Sequence, residues 1–400
     1  MMASSMKPIF RLFGTLLCLF TASMAAAELK PNTLTPQEVA DGWLLLFDGE
    51  STFGWTPRGD VKWEVADGVL CSHAGAGSGM LSTTTEFADY QLRADFWVDE
   101  KANSGVFVRC PIAGEITSGN AYEVNICDAH PKWPTGSISE VARVGGQPKT
   151  AGKWNTIEIT AELDQLGVRL NGQTVAEARD AKHPRGTLAL QQFSGLGEVR
   201  FRNLKLKPVG LRRIFNGKDL TGWKVLPDRK SVYSVTSEGW LNVKNGNGDL
   251  QSEGEYGDFM FQLEIISNGD HLNSGVFFRA IRDQFWSGYE GQIRNQWQGD
   301  DRSKPVDYGT GGIYNRQPAR RVVSSDREWF TMTIAAHGPH LVTWINGAQV
   351  TDFTDARPPN DNARQGYRAK AGVLSLQGHD PTTDLSFRNL RVAELAPARP

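Results

Sequence analysis

The sequence has few of the features that mark a metal-binding, membrane-spanning or strongly charged protein. Its four cysteines are scattered and show no paired spacing of the kind that binds zinc. No run of about 18 apolar residues occurs that could cross a membrane as a helix. The 43 Lys+Arg and 45 Asp+Glu residues nearly balance, to a net charge of −2, and the two signs are mixed along the chain. We therefore expect neither a nucleic-acid binder nor a membrane span.

The first 27 residues have the composition of a cleavable export signal. Lys7 and Arg11 supply a basic start, residues 9–20 are largely apolar, and Ala25-Ala26-Ala27 forms a small-residue cleavage site before Glu28. The apolar run is too short for a helix that spans a bilayer core of about 30 Å. We therefore expect an exported protein, secreted or periplasmic. Glu28, in place of a cysteine, gives no sign of a lipid anchor.

Cysteine usage adds little to this interpretation. Loss of the signal removes Cys18 and leaves Cys71, Cys110 and Cys127, an odd number. An oxidising compartment allows one disulfide among the three. Cys110 and Cys127 are the favoured pair if their strands are neighbours.

The remainder of the chain is a tandem repeat whose period is too long for a solenoid. Residues 43–207 and 211–395 carry the same landmarks in the same order: Phe47-Asp48-Gly49 recurs as Phe215-Asn216-Gly217, Asn103-Ser104-Gly105 as Asn273-Ser274-Gly275, Tyr122-Glu123 as Tyr289-Glu290, Thr135-Gly136 as Thr310-Gly311, and Phe201-Arg202-Asn203-Leu204 as Phe387-Arg388-Asn389-Leu390. We predict one domain over each of these ranges, with a lead-in over 28–42, a linker over 208–210 and a tail over 396–400. Because the linker is so short, the two copies must pack side by side.

Each copy has the residue pattern of an all-β domain. Every second residue is apolar from Leu92 to Val98 and from Phe259 to Ile265, which is the period of a half-buried strand. Asn-Gly pairs at 171–172 and 346–347 predict hairpin turns. The apolar phase slips at Asn203 and Asn389, which predicts a β-bulge in both copies. Residues 35–38 form a capping box and predict a short helix in the lead-in. The fold class we predict is all-β, with two tandem jelly-roll β-sandwich domains.

The landmarks of the second copy also resemble a known family. They run in the order Phe-Asn-Gly-Lys-Asp-Leu-Thr-Gly-Trp (215–223), Asn-Ser-Gly-Val-Phe-Phe-Arg (273–279), Tyr-Glu-Gly-Gln-Ile (289–293), Leu-Gln-Gly-His-Asp (376–380) and Phe-Arg-Asn-Leu (387–390). This series is similar to the 3-keto-disaccharide hydrolase family, whose domains have a concanavalin A-like lectin/glucanase fold. The resemblance covers both copies and implies cleavage of glycosides already oxidised to a ketone at C3 of the sugar. An upstream sugar 3-dehydrogenase would supply the 3-keto sugar, because this sequence has no dinucleotide-binding fingerprint.

The chemistry that the resemblance implies requires particular residue types. A C3 ketone acidifies the C2 proton, so a base can form an enolate, the C1 substituent can leave, and water can add to complete a net hydrolysis. Such a site needs a base, an acid near O1 and a cation or donor that faces the enolate oxygen. In copy two we predict that Glu290 and His379 supply the base and the acid, in either order, with Arg279 polarising the ketone.

Further residues of copy two are predicted to bind the substrate. Gln292 shares a strand face with Glu290, and Gln292 and Gln377 would position hydroxyl groups. Two tryptophans flank this strand and are candidates for stacking on a sugar ring; the full set of additional candidates is Trp286, Trp297, Asn273, Tyr314 and Asp380. A divalent cation held by Glu290 and His379 is possible on donor type, although the sequence shows no dense ligand spacing.

Copy one offers its own candidates for substrate binding, namely Glu123, Arg109, Asn125 and Asp128. It lacks the histidine, because Leu190-Gln191-Gln192-Phe193 stands where copy two has Leu376-Gln377-Gly378-His379. Copy two in turn has Asn295 where copy one has Asp128. We favour copy two as the catalytic copy, since its polar insertion is richer, and copy one as a binding or scaffolding module. A cleft shared by both copies stays open as an alternative.

Other interpretations compete with these assignments. Arg109 and Arg279 are as well suited to pairing with an acid across strands, and the Asn-Ser-Gly motif is typical of turns. At the level of function, the alternatives are a carbohydrate-binding protein without turnover and a conventional retaining glycosidase. The glycosidase needs two carboxylates, and the stretch 290–295 of copy two has only one.

Overall fold

Strands dominate the chain, and the computed structural model describes residues 1–2, 30–75, 77–193 and 195–395. Helix α1 spans Pro36–Ala40. The strands of copy one are β1 (Leu44–Leu45), β2 (Trp55–Gly59), β3 (Glu64–Ala66), β4 (Val69–Ser72), β5 (Gly79–Thr83), β6 (Tyr90–Val98), β7 (Asn103–Cys110), β8 (Tyr122–Ile126), β9 (Asn155–Glu162), β10 (Gln165–Leu170), β11 (Gln173–Arg179), β12 (Thr187–Phe193) and β13 (Val199–Pro208). The strands of copy two are β14 (Arg212–Arg213), β15 (Trp223–Val225), β16 (Val232–Val235), β17 (Leu241–Lys244), β18 (Gly248–Tyr256), β19 (Phe259–Ser267), β20 (Ser274–Ala280), β21 (Tyr289–Ile293), β22 (Trp297–Gln298), β23 (Asp301–Pro305), β24 (Phe330–His337), β25 (His340–Ile345), β26 (Ala348–Thr354), β27 (Gly372–Gly378) and β28 (Asp384–Glu394). Apart from residues 1–2, the predicted signal peptide lies outside the described residues, as does the predicted tail.

The start of α1 is fixed by the capping box that the sequence predicts. The Thr35 hydroxyl accepts a hydrogen bond from the Glu38 backbone N–H at 3.0 Å, and the Glu38 carboxylate accepts one from the Thr35 N–H at 2.8 Å. The same carboxylate binds the ammonium of Lys205 on β13 at 2.9 Å. The lead-in is therefore tied to the first copy. In the described ranges of the chain, no helix is long and apolar enough to cross a membrane.

Each copy is a two-layer β-sandwich. In copy one, a five-stranded sheet of order β2-β5-β12-β7-β8 packs on a larger sheet that contains β11-β10-β9-β6-β13. Copy two repeats the arrangement, with β15-β18-β27-β20-β21 packed on β26-β25-β24-β19-β28-β17-β16. In the small sheets, Leu190 and Leu376 point into the cores, and the residues beside them in the strands point the opposite way. The predicted all-β fold of two tandem jelly-roll domains is confirmed.

The local signals that the copies share have the predicted structures. The β10–β11 hairpin turns at Asn171 and Gly172, whose φ angles are 50° and 81°, as a two-residue turn requires. Asn203 lies where the register of β13 against β6 shifts, and Asn389 lies where that of β28 against β19 shifts. Both asparagines are left-handed, with φ of 52° and 53°. The predicted bulge is therefore present in each copy.

The two copies share a hydrophobic core at their junction. Met260, Ala335, Val342 and Trp344 of copy two belong to the core cluster of copy one rather than to their own. The Trp344 ring, which is 1% exposed, packs 6.4 Å from the ring of Phe87. Copy one thus covers the outer face of the large sheet of copy two, and the two copies are joined by a packed interface as well as by the linker.

Backbone and polar contacts reinforce the junction. Strand β1 pairs with β13 of its own copy and, through one parallel bridge, with β26 of the other, so the two large sheets are continuous. Arg320 binds Asp48 at 2.7 Å, and the Thr84 hydroxyl donates to Asp352 at 2.6 Å. Each of these contacts joins residues of different copies.

Because the copies share a core, we expect them to unfold in one cooperative transition. Differential scanning calorimetry should give a single peak whose calorimetric and van't Hoff enthalpies agree. Trp344→Ala should shift the whole peak to lower temperature, since it opens the shared core. Val232→Ala, at a side chain that is 55% exposed, serves as the control. Two separate peaks in the unaltered protein would show that the copies are independent folding units.

The favoured disulfide is not formed. Cys71, Cys110 and Cys127 are free thiols in the structure. The strands β7 and β8 are neighbours, as the pairing requires, but they are antiparallel, with Ser104 opposite Ile126 and Val108 opposite Tyr122. Cys110 and Cys127 therefore lie at opposite ends of the strand pair. The prediction of a Cys110–Cys127 bond is wrong for this reason.

Candidate functional site

In copy two, several small-sheet residues that point away from the core are polar. They occur in pairs on three strands: Asp249 and Gln251 on β18, Glu290 and Gln292 on β21, and Ser375 and Gln377 on β27. The register places Asp249 opposite Gln377 and Gln292 opposite Gly275. All six polar side chains are buried, because loops cover this face of the sheet. We call these six residues, with Arg364 and His379, the copy-two site.

Glu290 is held in this site by an arginine from a covering loop. Its Oε2 accepts a hydrogen bond from the Arg364 guanidinium at 2.6 Å, and the guanidinium lies 5.0 Å from the Phe277 ring centre. Gly275, on the neighbouring strand, leaves space for the carboxylate, since a Cβ there would lie 2.5 Å from Oε1. Burial raises the pKa of Glu290, and Arg364 opposes that rise. The glycine of the Asn-Ser-Gly motif therefore serves close packing in a strand and not a turn.

Asp249 is a functional candidate that the sequence reasoning missed. Its Oδ2 accepts the backbone N–H of Trp286 at 2.8 Å, while its Oδ1 is buried without a hydrogen-bond partner among the described residues. Burial raises the pKa of Asp249 to about 7, and the negative charge of Glu290 adds to the rise. A carboxyl group that titrates near neutrality suits general acid–base catalysis. The sequence pattern that could have indicated Asp249 is a carboxylate within a strand, directly before the core residue Leu250.

His379 lies at the end of β27 with an acidic partner. Its Nδ1 is 2.9 Å from Asp380 Oδ2, and its ring stacks on Trp286 at 5.5 Å with an interplanar angle of 13°. The Asp380 carboxylate fixes the proton on Nδ1, which leaves Nε2 for other partners. Trp286 also stacks on Phe285 at 4.7 Å, so the imidazole packs on one face of an aromatic stack. Three predicted residues, His379, Asp380 and Trp286, are thus brought together.

Two amide side chains carry unused acceptors into the site. Asp307 accepts hydrogen bonds from Gln292 and from Asn273, each at 2.9 Å, and so orients both amides. The Oε1 atoms of Gln292 and Gln377 are buried and have no partner within the part of the chain that the structure describes. A sugar hydroxyl is a suitable donor for such an acceptor. The predicted roles of Gln292, Gln377 and Asn273 in positioning a sugar remain consistent with this geometry.

The aromatic candidates of the insertion are placed differently from one another. The Tyr314 backbone N–H donates to the Glu290 carbonyl at 2.9 Å, and its ring lies 5.5 Å from the Arg364 guanidinium. Trp297 lies in the β22–β23 hairpin, where the Arg302 guanidinium stands 4.0 Å from its ring centre. Tyr314 therefore borders the site, whereas Trp297 is covered by its own hairpin.

The structure places Arg279 away from this face. It is the penultimate residue of β20, at a register shift, with φ of 48°, and its side chain is 0% exposed. The guanidinium donates to the carbonyls of Gly257, Gly338 and Arg368 and to the Asp258 carboxylate, at distances of 2.6 to 3.1 Å. With its donors used in this way, Arg279 joins three backbone segments. This placement does not support its predicted role in polarising a ketone.

Arg109 repeats that arrangement in copy one. It has φ of 56° and donates to the carbonyls of Ala88, Leu163 and His183 and to the Asp89 carboxylate, at 2.8 to 3.1 Å. The side chain is buried within its own domain. The alternative weighed from the sequence, an arginine paired with an acid, therefore describes both arginines, and the placement of Arg109 does not support a substrate-binding role.

Copy one has a cavity of about 780 Å³ on the corresponding face of its small sheet. Glu123 and Asn125 of β8 line it, and Gln191 of β12 lies opposite Gly105, as the site of copy two would lead one to expect. Burial raises the pKa of Glu123, and a hydrogen bond from Ser139 opposes the rise. Copy one lacks the buried aspartate of copy two. Met80 lies opposite Gln191 in copy one, at the position where Asp249 lies opposite Gln377 in copy two. Two predicted residues, Glu123 and Asn125, are thus brought together here.

Asp128 has a structural environment instead. It accepts hydrogen bonds from the Thr135 and Thr150 hydroxyls at 2.6 and 2.7 Å and from the Thr150 and Ala151 backbone N–H groups. In copy two the Asn295 amide oxygen accepts from Thr310 at 2.6 Å in the same way. Asp128 and Asn295 therefore play the same part in the two copies, since each accepts a hydrogen bond from a threonine of the loop that follows its strand. This environment does not support the predicted contact of Asp128 with a substrate.

The donor set of the copy-two site bears on the predicted cation. Within residues 30–75, 77–193 and 195–395, the structure has no group of three or more His, Cys, Asp and Glu side chains that could hold a metal ion. Glu290 is engaged by Arg364 and His379 by Asp380. A cation at Glu290 and His379 would have to displace a guanidinium, so these residues fit it poorly. The cation stays a prediction.

The fold and the site define a two-domain β-sandwich protein in which buried carboxylates and amides and a half-buried imidazole lie on one sheet face. A family model described as 3-keto-alpha-glucoside-1,2-lyase-like domain matches residues 42–207 and again residues 210–393. The chain therefore belongs to this family, with two tandem domains, and the family predicted from the sequence is confirmed. A comparison with curated protein sequences found no match.

Two solved structures are similar to part of this chain. A protein of Parabacteroides distasonis ATCC 8503, provisionally named a glycosyl hydrolase, is 22% identical and covers 45% of this chain and 100% of its own, with a TM-score of 0.39. The carbohydrate binding module CBM66 of Bacillus subtilis is 19% identical and covers 38% of this chain and 94% of its own, with a TM-score of 0.31. At these identities and TM-scores the likeness carries no inference about function.

Proposed function

We propose that the protein cleaves 3-keto-glycosides, including 3-keto-disaccharides, and that the chemistry takes place in the copy-two site. The observation that carries the proposal is the pair of buried carboxylates of Asp249 and Glu290 with the half-buried guanidinium of Arg364, beside the His379–Asp380 pair. This group contains a base, a cation and a proton donor, which are the three functions that the reaction needs. Copy one has Met80 and Phe193 where copy two has Asp249 and His379.

Each residue has a role in the proposed reaction. Asp249 takes the C2 proton through its unpartnered Oδ1, and the guanidinium of Arg364 faces the enolate oxygen that forms at C3. His379, as the imidazolium whose Nδ1–H is held by Asp380, gives its Nε2 proton to the C1 oxygen as the C1–O bond breaks. Water then adds across the C1–C2 double bond: its hydroxyl goes to C1 and its proton to His379, while Asp249 returns its proton to C2, so the net change is hydrolysis.

Glu290 acts in this scheme by holding Arg364, and the amides hold the sugar. Its carboxylate at 2.6 Å fixes the guanidinium against the Phe277 ring. Gln292 and Gln377 accept hydrogen bonds from hydroxyl groups through their free oxygens. Compared with the roles assigned from sequence, Arg364 replaces Arg279 as the cation, and Asp249 takes the role of base.

Two further proposals follow from the sequence. We propose export to the periplasm or the medium, on the basis of the leader in residues 1–27. We also propose that an exported sugar 3-dehydrogenase supplies the substrate, because elimination at C1 depends on a ketone at C3.

Product analysis by mass spectrometry tests the proposed function. Incubation with 3-keto-trehalose and a 3-keto-glucoside should release 3-keto-glucose, whereas parent trehalose and the parent glucoside should stay intact. His379→Phe, which installs the residue of copy one, should slow release by about 10²-fold as an acid is lost. His73→Phe, at an exposed histidine of copy one, is the matched control.

The other outcomes are equally informative. Because Asp249 gives the site a second carboxylate, cleavage of the parent glycosides would favour a conventional glycosidase. Binding of plain glycans without any cleavage of keto-glycosides would leave a carbohydrate-binding protein. Loss of activity in EDTA, restored by a divalent cation, would assign Glu290 and His379 to a metal.

A further inference from the structure

The cavity of copy one has a polar floor made of neutral and acidic side chains. Glu123, Asn125 and Gln191 line it together with Asn103 at the start of β7. Gln191 Oε1 and Asn103 Oδ1 are buried and have no hydrogen-bond partner in the described part of the chain. These atoms, with the Glu123 carboxylate, are acceptors for the hydroxyl groups of a ligand. The volume of about 780 Å³ is that of a small-molecule site.

The cations around this cavity are already engaged. The Arg58 guanidinium donates to the carbonyls of Pro111, Ile112 and Gly114 at 2.6 to 3.2 Å. Lys132 pairs with Glu140 at 3.2 Å. Because neither cation is directed at the floor, and Glu123 is, the cavity suits a neutral ligand with several hydroxyl groups and disfavours an anion such as a sugar phosphate.

Apolar side chains stand beside the polar floor where copy two has its reactive groups. Met80 takes the place of Asp249, and Phe193 takes the place of His379. Phe193 lies opposite Asn103 in the sheet and is 52% exposed, an unusual state for a phenylalanine of a strand. Ile116, from the loop after β7, extends the apolar lining. The cavity therefore has hydroxyl acceptors at its floor and an exposed aromatic ring at its edge.

We propose that copy one is a non-catalytic binding site for a neutral glycoside with an apolar aglycone. The sugar lies on Gln191, Asn103 and Glu123, and the aglycone packs on Phe193 and Ile116. Since Met80 and Phe193 carry no ionisable group, this copy holds the glycoside without cleaving it. Such a site would concentrate glycosides near the protein, and it does not depend on turnover in copy two.

Isothermal titration calorimetry on the full chain tests this proposal with unoxidised probes. The probes are both anomers of phenyl glucopyranoside, the matching methyl glucopyranosides, and phenol. We expect one phenyl glucoside anomer to bind at least tenfold more tightly than its methyl counterpart, and phenol to bind more weakly than that anomer. Phe193→Ser should abolish this advantage, and Gln191→Ala should weaken both glucosides at least tenfold. Circular dichroism melting checks that each variant is folded.

The matched change in the other copy makes the assignment specific. Gln377→Ala, the copy-two counterpart of Gln191→Ala, should leave phenyl glucoside binding within twofold. The proposal would be overturned if phenyl glucoside binding were lost in Gln377→Ala and kept in both copy-one variants. It would also be overturned if neither anomer bound. The probes carry no ketone, so failure to cleave keto-glycosides would not affect this result.

Discussion

Asp249→Asn is expected to lower kcat for keto-glycoside cleavage by about 10²–10⁴-fold while making the protein more stable at neutral pH. The loss follows from the proposed role of Asp249 as the base, since an amide cannot take the C2 proton. The amide oxygen can still accept the Trp286 N–H, which Asp249 Oδ2 now accepts at 2.8 Å. The variant should therefore keep the loop in place and lose only the ionisable group.

The gain in stability follows from the raised pKa of Asp249. Burial, with the nearby charge of Glu290, raises it from 3.8 to about 7. Between these values the unfolded chain has lost the proton and the folded chain retains it, so the free energy of unfolding falls as pH rises from about 4 to about 7. Above the folded pKa the loss is complete, at most about 4 kcal/mol. Asn carries no such penalty, so its advantage should be present at pH 8 and absent at pH 3.

Urea unfolding at pH 3 and pH 8 and steady-state kinetics measure the two effects. In the unaltered protein the ascending limb of the kcat/KM–pH profile should have an apparent pKa near 7, and the need for a proton on His379 should make the profile bell-shaped. Glu290→Gln should move that inflection to lower pH, because it removes the negative charge that helps to raise the pKa of Asp249. Asp300→Asn, at an exposed position, is the control. Retention of more than a third of the activity in Asp249→Asn would remove Asp249 from the mechanism.

The repeat allowed most of the fold, and the carboxylate shared by both copies, to be predicted from the sequence. Glu290 and Gln292 alternate with core residues of β21, and the recurrence of Tyr-Glu at 122–123 marked the same place in copy one. Hairpins and bulges were equally accessible, because Asn-Gly pairs and phase slips are local signals.

The same comparison hid Asp249 and Arg364. Asp249 corresponds to Met80, so a search for shared landmarks passes over it. Arg364 comes from an insertion that copy one lacks, and no local pattern shows that this loop reaches Glu290. Both residues are found only when the sheet register and the covering loop are known. The residues that distinguish a reactive copy from an inactive one are, by their nature, those that a repeat does not share.

Recurrence also misled, as Arg279 illustrates. An arginine at the same place in both copies suggested chemistry, but it recurs because both copies need the same joint between three backbone carbonyls and an acid. Arg279→Met should lower the free energy of unfolding by about 3–5 kcal/mol, since it leaves three backbone carbonyls without the guanidinium that donates to them. Arg109→Met should have a similar effect in copy one, because Arg109 makes the equivalent contacts.

The midpoints of urea unfolding measure these losses, and Arg282→Met is the control. Arg282 is exposed and pairs with Glu255, so its loss should lower the free energy of unfolding by less than about 1 kcal/mol. Because the Arg279 side chain is 0% exposed and its donors point to the backbone, kcat per folded molecule should remain near that of the unaltered protein. An unchanged midpoint with a large fall in kcat would return Arg279 to the reaction and displace Arg364 from the role of cation. If both stability and kcat fall, kcat is measured again at a temperature where the variant is fully folded. A purely structural arginine predicts that kcat is then unchanged.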